Sequence, residues 1–320
     1  MEKRKLGNTD LEISIIGFGA WAIGGSGWQF GWGPQHDVDS IAAIYRALDS
    51  GINWIDTAAV YGLGHSEKIV AEALSGMSER PFIFTKCALC WDENRKIYAS
   101  LKADSIRKEC EDSLIRLETD VIDLYQIHWP NPNDDIEEGW STLAQLQKEG
   151  KVRYIGVSNF NVKQIKRAEK IAPVSSLQPP YSLLNRDIEK EILPYCNKQN
   201  IGTIIYSPMA SGLLSGRMTR EEISFLAPDD WRRLDPEFQD PRLTKNLQLV
   251  EKLTEFGNKY NVIPGVIAIA WTLKNSNVNA AIVGGRSSEQ VDEFVKAAEI
   301  QLSDEDYKEI NDAKDAILKY

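Results

Sequence analysis

Four residues of different chemical type stand apart along the chain: Asp56, Tyr61, Lys86 and His128. Asp56 lies in the run "INWIDTA", Tyr61 in the stretch just after it, Lys86 near the end of "FIFTKC" and His128 near the end of "VIDLYQIHW". None of these types belongs at the end of an apolar run for packing alone. A free tyrosine, with a pKa of about 10, is poorly matched to proton transfer near neutral pH unless a cation stabilises its phenolate. Lys86 can supply that charge. A buried lysine sheds its own proton unless an anion compensates, and Asp56 is the anion at hand. His128 can hydrogen-bond a carbonyl oxygen and fix its geometry against a hydride donor. Taken singly, each has an ordinary explanation: an N-cap, a solvated cation, a core phenol, a structural hydrogen-bonder. Their occurrence together, in order and at strand ends, carries the argument.

The elements that must hold them follow from the alternation of short β-rich runs with amphipathic ones. Eight strands are expected: Ser14–Gly19, Ile52–Ala58, Phe82–Cys87, Val121–Trp129, Tyr154–Asn159, Ser175–Pro179, Gly202–Pro208 and Ala280–Gly285. Several are apolar on both faces, as buried parallel strands are. Between them, Ile41, Ile44, Tyr45 and Leu48, closed by Gly51, form one helical stripe, and Ile106, Cys110, Leu114 and Leu117 another. No Pro/Gly/Ser linker splits the series. The pattern predicts an α/β fold, a single domain over residues 1–320 closed as a (β/α)8 TIM barrel with extra loops and helices at its C-terminal face, where the βα loops converge. Two segments exceed what closure needs. "GGSGWQFGWGPQHD" combines tight turns with large aromatics, and residues 213–242, with Phe225 and Trp231, read as a lid over the site.

Composition removes other classes. With 42% hydrophobic residues the chain can bury a large core, and a net charge of −10 with no basic cluster argues against nucleic acid. The N-terminal region suits neither a signal peptide nor a membrane span, so a cytoplasmic protein is expected. Four cysteines in 320 residues make no disulfide scaffold; Cys87 and Cys90 form a C-x-x-C, but no second pair completes a metal site. The motif "GFGAWA", with Asp37 downstream, imitates a dinucleotide fingerprint and fails because no helix opens directly after it; the first amphipathic helix begins near Asp39. His36 and His65 lie in loop or helix-start contexts, His65 close enough to Tyr61 to border a pocket. A hydrolase or isomerase barrel would need paired carboxylates or a metal set, and no convincing one is present.

The stretches "LGNTDLEISIIGFGAW", "IDTAAVYGLGHSE", "FTKC", "IDLYQIHWP", "GKVRYIGVSNF", "LQPPYSLLNR", "IIYSPMASGLLSGR" and "IVGGRSSEQVDE" resemble, in order and spacing from end to end, the aldo-keto reductases. The likeness includes the bacterial NADPH-dependent general-stress and inositol-operon type and the channel β-subunit-like branch. It implies a catalytic tetrad of Asp56, Tyr61, Lys86 and His128, with Tyr61 as proton donor, and a nicotinamide dinucleotide extended across the barrel mouth. Ser158, Asn159 and Gln178 match the positions that hold the carboxamide, and Tyr206 the ring on which the nicotinamide stacks. Ser207, Met209, Gly212 and Leu213 match the pyrophosphate stretch, and Gly285, Arg286, Gln290 and Glu293 the adenosine segment.

There the chain departs from many NADP-specific members, which carry a lysine where Gly284 stands, an arginine at Gln290 and an asparagine at Phe294. Arg286, with Ser287 and Ser288, remains to meet a 2′-phosphate, so NADP(H) is expected, with NAD(H) as the alternative. The implied reaction is hydride transfer between this cofactor and an aldehyde or ketone, or the corresponding alcohol. The alternative is a cofactor-binding sensing subunit with little turnover. Trp21, Trp28, Trp91 and Trp129 are expected to shape the pocket for a small-molecule carbonyl substrate. Neither the physiological substrate nor the oligomeric state is encoded in these motifs.

Overall fold

The computed structural model describes residues 1–318. Eight parallel strands close into a barrel: β1 (Ile16–Gly19), β2 (Trp54–Asp56), β3 (Phe82–Cys87), β4 (Ile122–Ile127), β5 (Val152–Ser158), β6 (Ser176–Gln178), β7 (Gly202–Tyr206) and β8 (Ala280–Gly284). All eight fall on the expected runs: β3 matches end to end, β5 begins two residues early at Val152 and stops one short at Ser158, and the other six are trimmed at their ends. β2 keeps three residues, Trp54, Ile55 and Asp56, all buried. The ring closes between β8 and β1, with Val283 opposite Phe18 and Gly284 opposite Gly19. Because every strand runs the same way, Asp56, Ser158, Gln178, Tyr206 and Gly284 end five of them on one rim, with Lys86 one residue short of the end of β3.

The barrel interior is filled by large side chains, Trp54 and Phe84 with ring centroids 4.9 Å apart, together with Leu124, Ile204 and Ile282. Gly17 is required there, since a Cβ would stand 2.2 Å from the Trp54 ring. An unforeseen antiparallel hairpin, Lys3–Lys5 with Glu12–Ser14, adds the fully buried Leu6, Leu11 and Ile13 to this cluster. Its strands are three residues long and largely polar, too short to show a period.

Outside the barrel, α1 (Asp37–Asp49), α2 (His65–Leu74) and α3 (Ala103–Arg116) pack on the sheet. The buried face of α1 is Ser40, Ala43, Ile44 and Ala47, so the expected stripe is rotated and Tyr45 is exposed. The buried face of α3 is Ile106, Glu109, Cys110 and Ser113, with a carboxyl group inside it. Residues 213–242 hold 3₁₀ turns at Leu213–Ser215, Trp231–Leu234 and Pro236–Phe238 and a short helix at Arg220–Ser224. Side-chain caps fix three of these: Thr219 accepts from the Glu222 N–H, Asp230 from that of Arg232 and Asp235 from that of Glu237. Among the described residues no helix is long and apolar enough to cross a membrane.

Candidate active site

Lys86 is anchored by three bonds at the floor of the cavity. Its Nζ donates to Asp56 Oδ1 at 2.6 Å, to the Thr57 carbonyl at 2.8 Å and to Tyr61 Oη at 3.4 Å. Strand register places Asp56 beside Phe84 and so brings the ends of β2 and β3 together, while the loop after β2 carries Tyr61 back over the lysine. An ammonium only donates, so the Tyr61 oxygen accepts from Lys86 and its own proton is free to face elsewhere. Tyr61 and His128 both line the cavity above, with rings edge-to-face at 5.7 Å.

Burial raises the Asp56 carboxyl and lowers the Lys86 ammonium, while their short bond draws each back toward its charged form. Burial, and then the Asp56 charge, hold the Tyr61 phenol well above its ordinary value. The expectation that Lys86 pulls the phenol down therefore does not describe the resting site: Asp56 offsets the lysine's charge, and desolvation prevails. Burial, and then the Lys86 charge, keep the His128 imidazole well below its ordinary value, hence neutral. The site thus presents a protonated phenol beside a neutral imidazole.

A cavity of about 980 Å³ extends from Tyr61 and His128 past Ser158, Asn159, Gln178 and Tyr206 to Arg286, Gln290 and Glu293. Its middle is already networked. Gln178 Nε2 donates to Asp56 Oδ2 at 2.7 Å, Ser158 Oγ to the Gln178 carbonyl at 2.8 Å, Asn159 Nδ2 to the His128 carbonyl at 2.9 Å and Tyr206 Oη to Asn159 Oδ1 at 2.8 Å. Ser207, Met209 and Gly212 line the next stretch, where Ser207, Ala210, Ser211 and Gly212 all have positive φ. Leu213 instead is fully buried against Phe238 and Leu243. Gly285 lies beside the cavity, not in its lining, where a Cβ would stand 3.2 Å from Val291 and 3.1 Å from Phe294.

Three guanidinium groups flank this half: Arg217, Arg232 and Arg286. Arg217 pairs with Glu293, and Arg232 with Asp230 at 2.6 Å. The partners of Arg286 are neutral oxygens: Gln35 Oε1 at 2.7 Å, the Trp32 carbonyl at 3.2 Å and the Pro34 carbonyl. Burial, and then the Arg232 charge, push its pKa down, which marks a cation whose hydrogen-bond partners carry no compensating charge. A long cleft with the Tyr206 ring in its lining and such a cation at its end has the shape and the charge that an extended dinucleotide with an extra phosphate would need.

The side of the cavity beyond Tyr61 is aromatic. Trp21 stacks near Tyr61 at 6.1 Å, and Trp28 lies 6.1 Å from the same ring. Trp129, partly exposed, stands at the rim of the same cavity. Trp91 is outside the lining, with the Arg116 guanidinium 5.8 Å from its ring, and the wall there is made by Leu89, Ile97, Tyr98 and Ala99. These belong to a second unforeseen hairpin, Leu89–Trp91 with Ile97–Ala99. His65 is bonded to Asp37 at 2.8 Å and does not line the cavity.

Sequence reading also missed Trp32, Arg217 and Arg232 as lining residues, and named Trp231 only as an aromatic spot in the lid. That segment does touch the first loop: Trp231 stacks on Trp21 at 5.5 Å, its backbone N–H donates to the Gly31 carbonyl at 3.4 Å, and the Arg232 guanidinium lies 4.4 Å from the Trp32 ring. The density of tryptophan in "GWQFGWG" was the one available signal.

Residues 15–315 match the aldo/keto reductase family. The chain is 40% identical over 314 residues to the aldo-keto reductase YhdN of Bacillus subtilis, covering 97% of this chain and 93% of the relative. It is 36% identical over 320 residues to the NADH-specific methylglyoxal reductase of Escherichia coli, covering 96% of each. The structure of a glycerol dehydrogenase from Gluconobacter oxydans superposes with a TM-score of 0.89 at 38% identity, over 99% of this chain and 96% of that one. On a match that spans the barrel from β1 to β8, with relatives of this identity named for reductase and dehydrogenase activity, the chain belongs to the aldo/keto reductase family of NAD(P)H-dependent oxidoreductases.

Proposed function

We propose that this protein reduces small aldehydes or ketones, and oxidises the corresponding alcohols, with Tyr61 giving its proton to the developing alkoxide. The observation that carries this reading is the Lys86 bond to Tyr61: it occupies a lone pair of the phenol oxygen and leaves the O–H for the cavity. Once the proton has gone, the phenolate stays beside an ammonium that Asp56 keeps charged. His128, neutral, orients the carbonyl oxygen. Ser158, Asn159 and Gln178 hold the carboxamide end of the cofactor, and Tyr206 supports its ring. The bound dinucleotide supplies the hydride. Trp21, Trp28 and Trp129, with the Leu89–Ala99 hairpin, keep water from the reacting carbon and favour substrates with an apolar body.

Arg286, with neutral partners, supports NADP(H) as the preferred cofactor. The relative named NADH-specific keeps NAD(H) in view. We place the protein in the cytoplasm, in keeping with its four cysteines, all free and buried, and without nucleic-acid partners, in keeping with its net charge of −10.

Consumption of NADPH and of NADH by the purified protein, against aromatic and aliphatic aldehydes, tests the reading. Turnover that falls by about 10²- to 10⁴-fold in Tyr61→Phe, with cofactor binding kept, is the expected result. Tight cofactor retention without turnover would move the assignment to a sensing subunit, and no nicotinamide binding would sink both.

A further inference from the structure

Ala88 is the hinge between the lysine-bearing strand and the substrate-side wall. It follows Cys87, the last residue of β3, and precedes Leu89, the first residue of the hairpin that lines the cavity. Its φ is +77°, a left-handed conformation that costs a non-glycine residue on the order of 1 kcal/mol and persists only when its surroundings impose it. Three bonds meet here. The Ala88 carbonyl accepts from the Ser100 N–H at 3.2 Å, the Cys87 carbonyl accepts from the His128 N–H at 3.0 Å, and the Ala88 N–H donates to Glu109 Oε2 at 3.0 Å.

Glu109 is a buried carboxylate that, unlike Asp56 and Glu67, has no ion-pair partner among the described residues. It lies on the inner face of α3, 9% exposed, and has no part in the hydride chemistry. Ser105 Oγ donates to its Oε1 at 3.3 Å, and the Cys90 thiol, 3.2 Å from the Ser105 hydroxyl, faces it from the hairpin. The carboxylate accepts at both oxygens and holds the Ala88 N–H as a charged acceptor; once protonated, it can give its O–H to Ser105 and remains only a neutral, weaker acceptor for Ala88.

We propose that Glu109 is a positioning residue: its carboxylate, by holding the Ala88 N–H, sets the Leu89–Ala99 hairpin as the wall against which a carbonyl substrate's apolar body packs. The substrate half of this inference rests on the oxidoreductase reading; the hairpin half does not.

The device is sensitive to pH. Burial pushes the Glu109 carboxyl up to about 7, against the bonds from Cys90, Ala88 and Ser105 and the charge of Arg116. Cys87, Cys90, Tyr98, Cys110 and Tyr125 share its surroundings with their own pKa values raised, so all are neutral near pH 7 and Glu109 is the group that changes charge there. The carboxyl's folded value lies above the unfolded one of about 4.5, so the folded state binds the proton more tightly. Stability from this group is present below the unfolded value and lost as pH rises toward 7. The fold therefore keeps an ionised Glu109 at a cost, as positioning residues often do.

Hydrogen exchange of the segment 88–100, read by mass spectrometry in the full chain at pH 6 and pH 8 and corrected for intrinsic rates, tests the hairpin half. Glu109→Ala should exchange about tenfold faster than the unmodified protein at pH 8, where a hydrogen bond to a charged acceptor is lost, and by a smaller factor at pH 6, where the carboxyl is largely protonated. The unmodified protein should be faster at pH 6 than at pH 8. Glu109→Gln, which keeps an acceptor for Ala88, should lose that pH dependence and should gain thermal stability more at pH 8 than at pH 6.

With 4-nitrobenzaldehyde as probe, Glu109→Ala should raise its KM severalfold and leave kcat and the nicotinamide KM unchanged. Unchanged exchange in Glu109→Ala, or a pH dependence that survives in Glu109→Gln, would overturn the proposal. A protein without any turnover but with the expected exchange pattern would remove the reductase reading and leave the hairpin device standing.

Discussion

At the floor of the cavity Lys86 is fully buried and bonded to Asp56, Thr57 and Tyr61, all within 30 positions of it. At the rim Arg286 is held by Gln35, Trp32 and Pro34, more than 250 positions away, through two carbonyls and an amide oxygen. The first arrangement is fixed by the register of neighbouring parallel strands. The second depends on two loops meeting above the barrel. Strand register is imposed by a whole ladder of hydrogen bonds and cannot slip without turning side chains to the wrong face. Loop contacts are few, and each can open on its own. The floor should therefore fail as a unit, and the rim by degrees.

The largest effect is expected at the floor. Lys86→Met leaves the Asp56 carboxylate buried without its cation, so chemical denaturation at pH 7 should show a loss of about 3–5 kcal/mol, with turnover lost as well. A loss under about 1 kcal/mol would mean that Asp56 and Lys86 are not charged in the resting site, and the contrast would break.

At the rim, Arg286→Ala should weaken NADPH about 10- to 100-fold in equilibrium titration and NADH only slightly, the worth of hydrogen bonds to a charged group. Equal weakening of both would show that Arg286 acts on the first loop instead of on the 2′-phosphate. Smallest is Trp231→Ala, which removes a stacked pair worth about 0.5–1.5 kcal/mol. Stopped-flow release of NADPH should quicken about two- to tenfold, while single-turnover reduction stays the same. A change in the single-turnover rate would tie the lid to the floor.

The eight strands and the four floor residues stood out in the sequence because each strand is a local apolar run, Asp56, Lys86 and His128 break such runs at or beside their ends, and Tyr61 follows in the loop just after β2. The two hairpins were not, because three-residue strands show no period and their partners lie across a turn. Trp91 was read as pocket-lining from its place after a strand. In the structure its ring lies by Arg116, and Leu89 and Ile97 of the same hairpin line the cavity. Glu109 carried no signal either, because a single glutamate in a helix reads as solvated until the burial of its face is known.

What the sequence by itself determined is the order of strands, the identity of the residues at their ends and, through them, the family and its chemistry. These rest on near-neighbour patterns and on strands that repeat one packing rule. The tertiary structure alone decided the resting charge state of Tyr61, the neutral partners of Arg286, the meeting of Trp231 with Trp21 and the burial of Glu109 behind Ala88. Each of those depends on how much water is excluded and which distant groups arrive, and burial and long-range contact exist only once the barrel and its loops have closed.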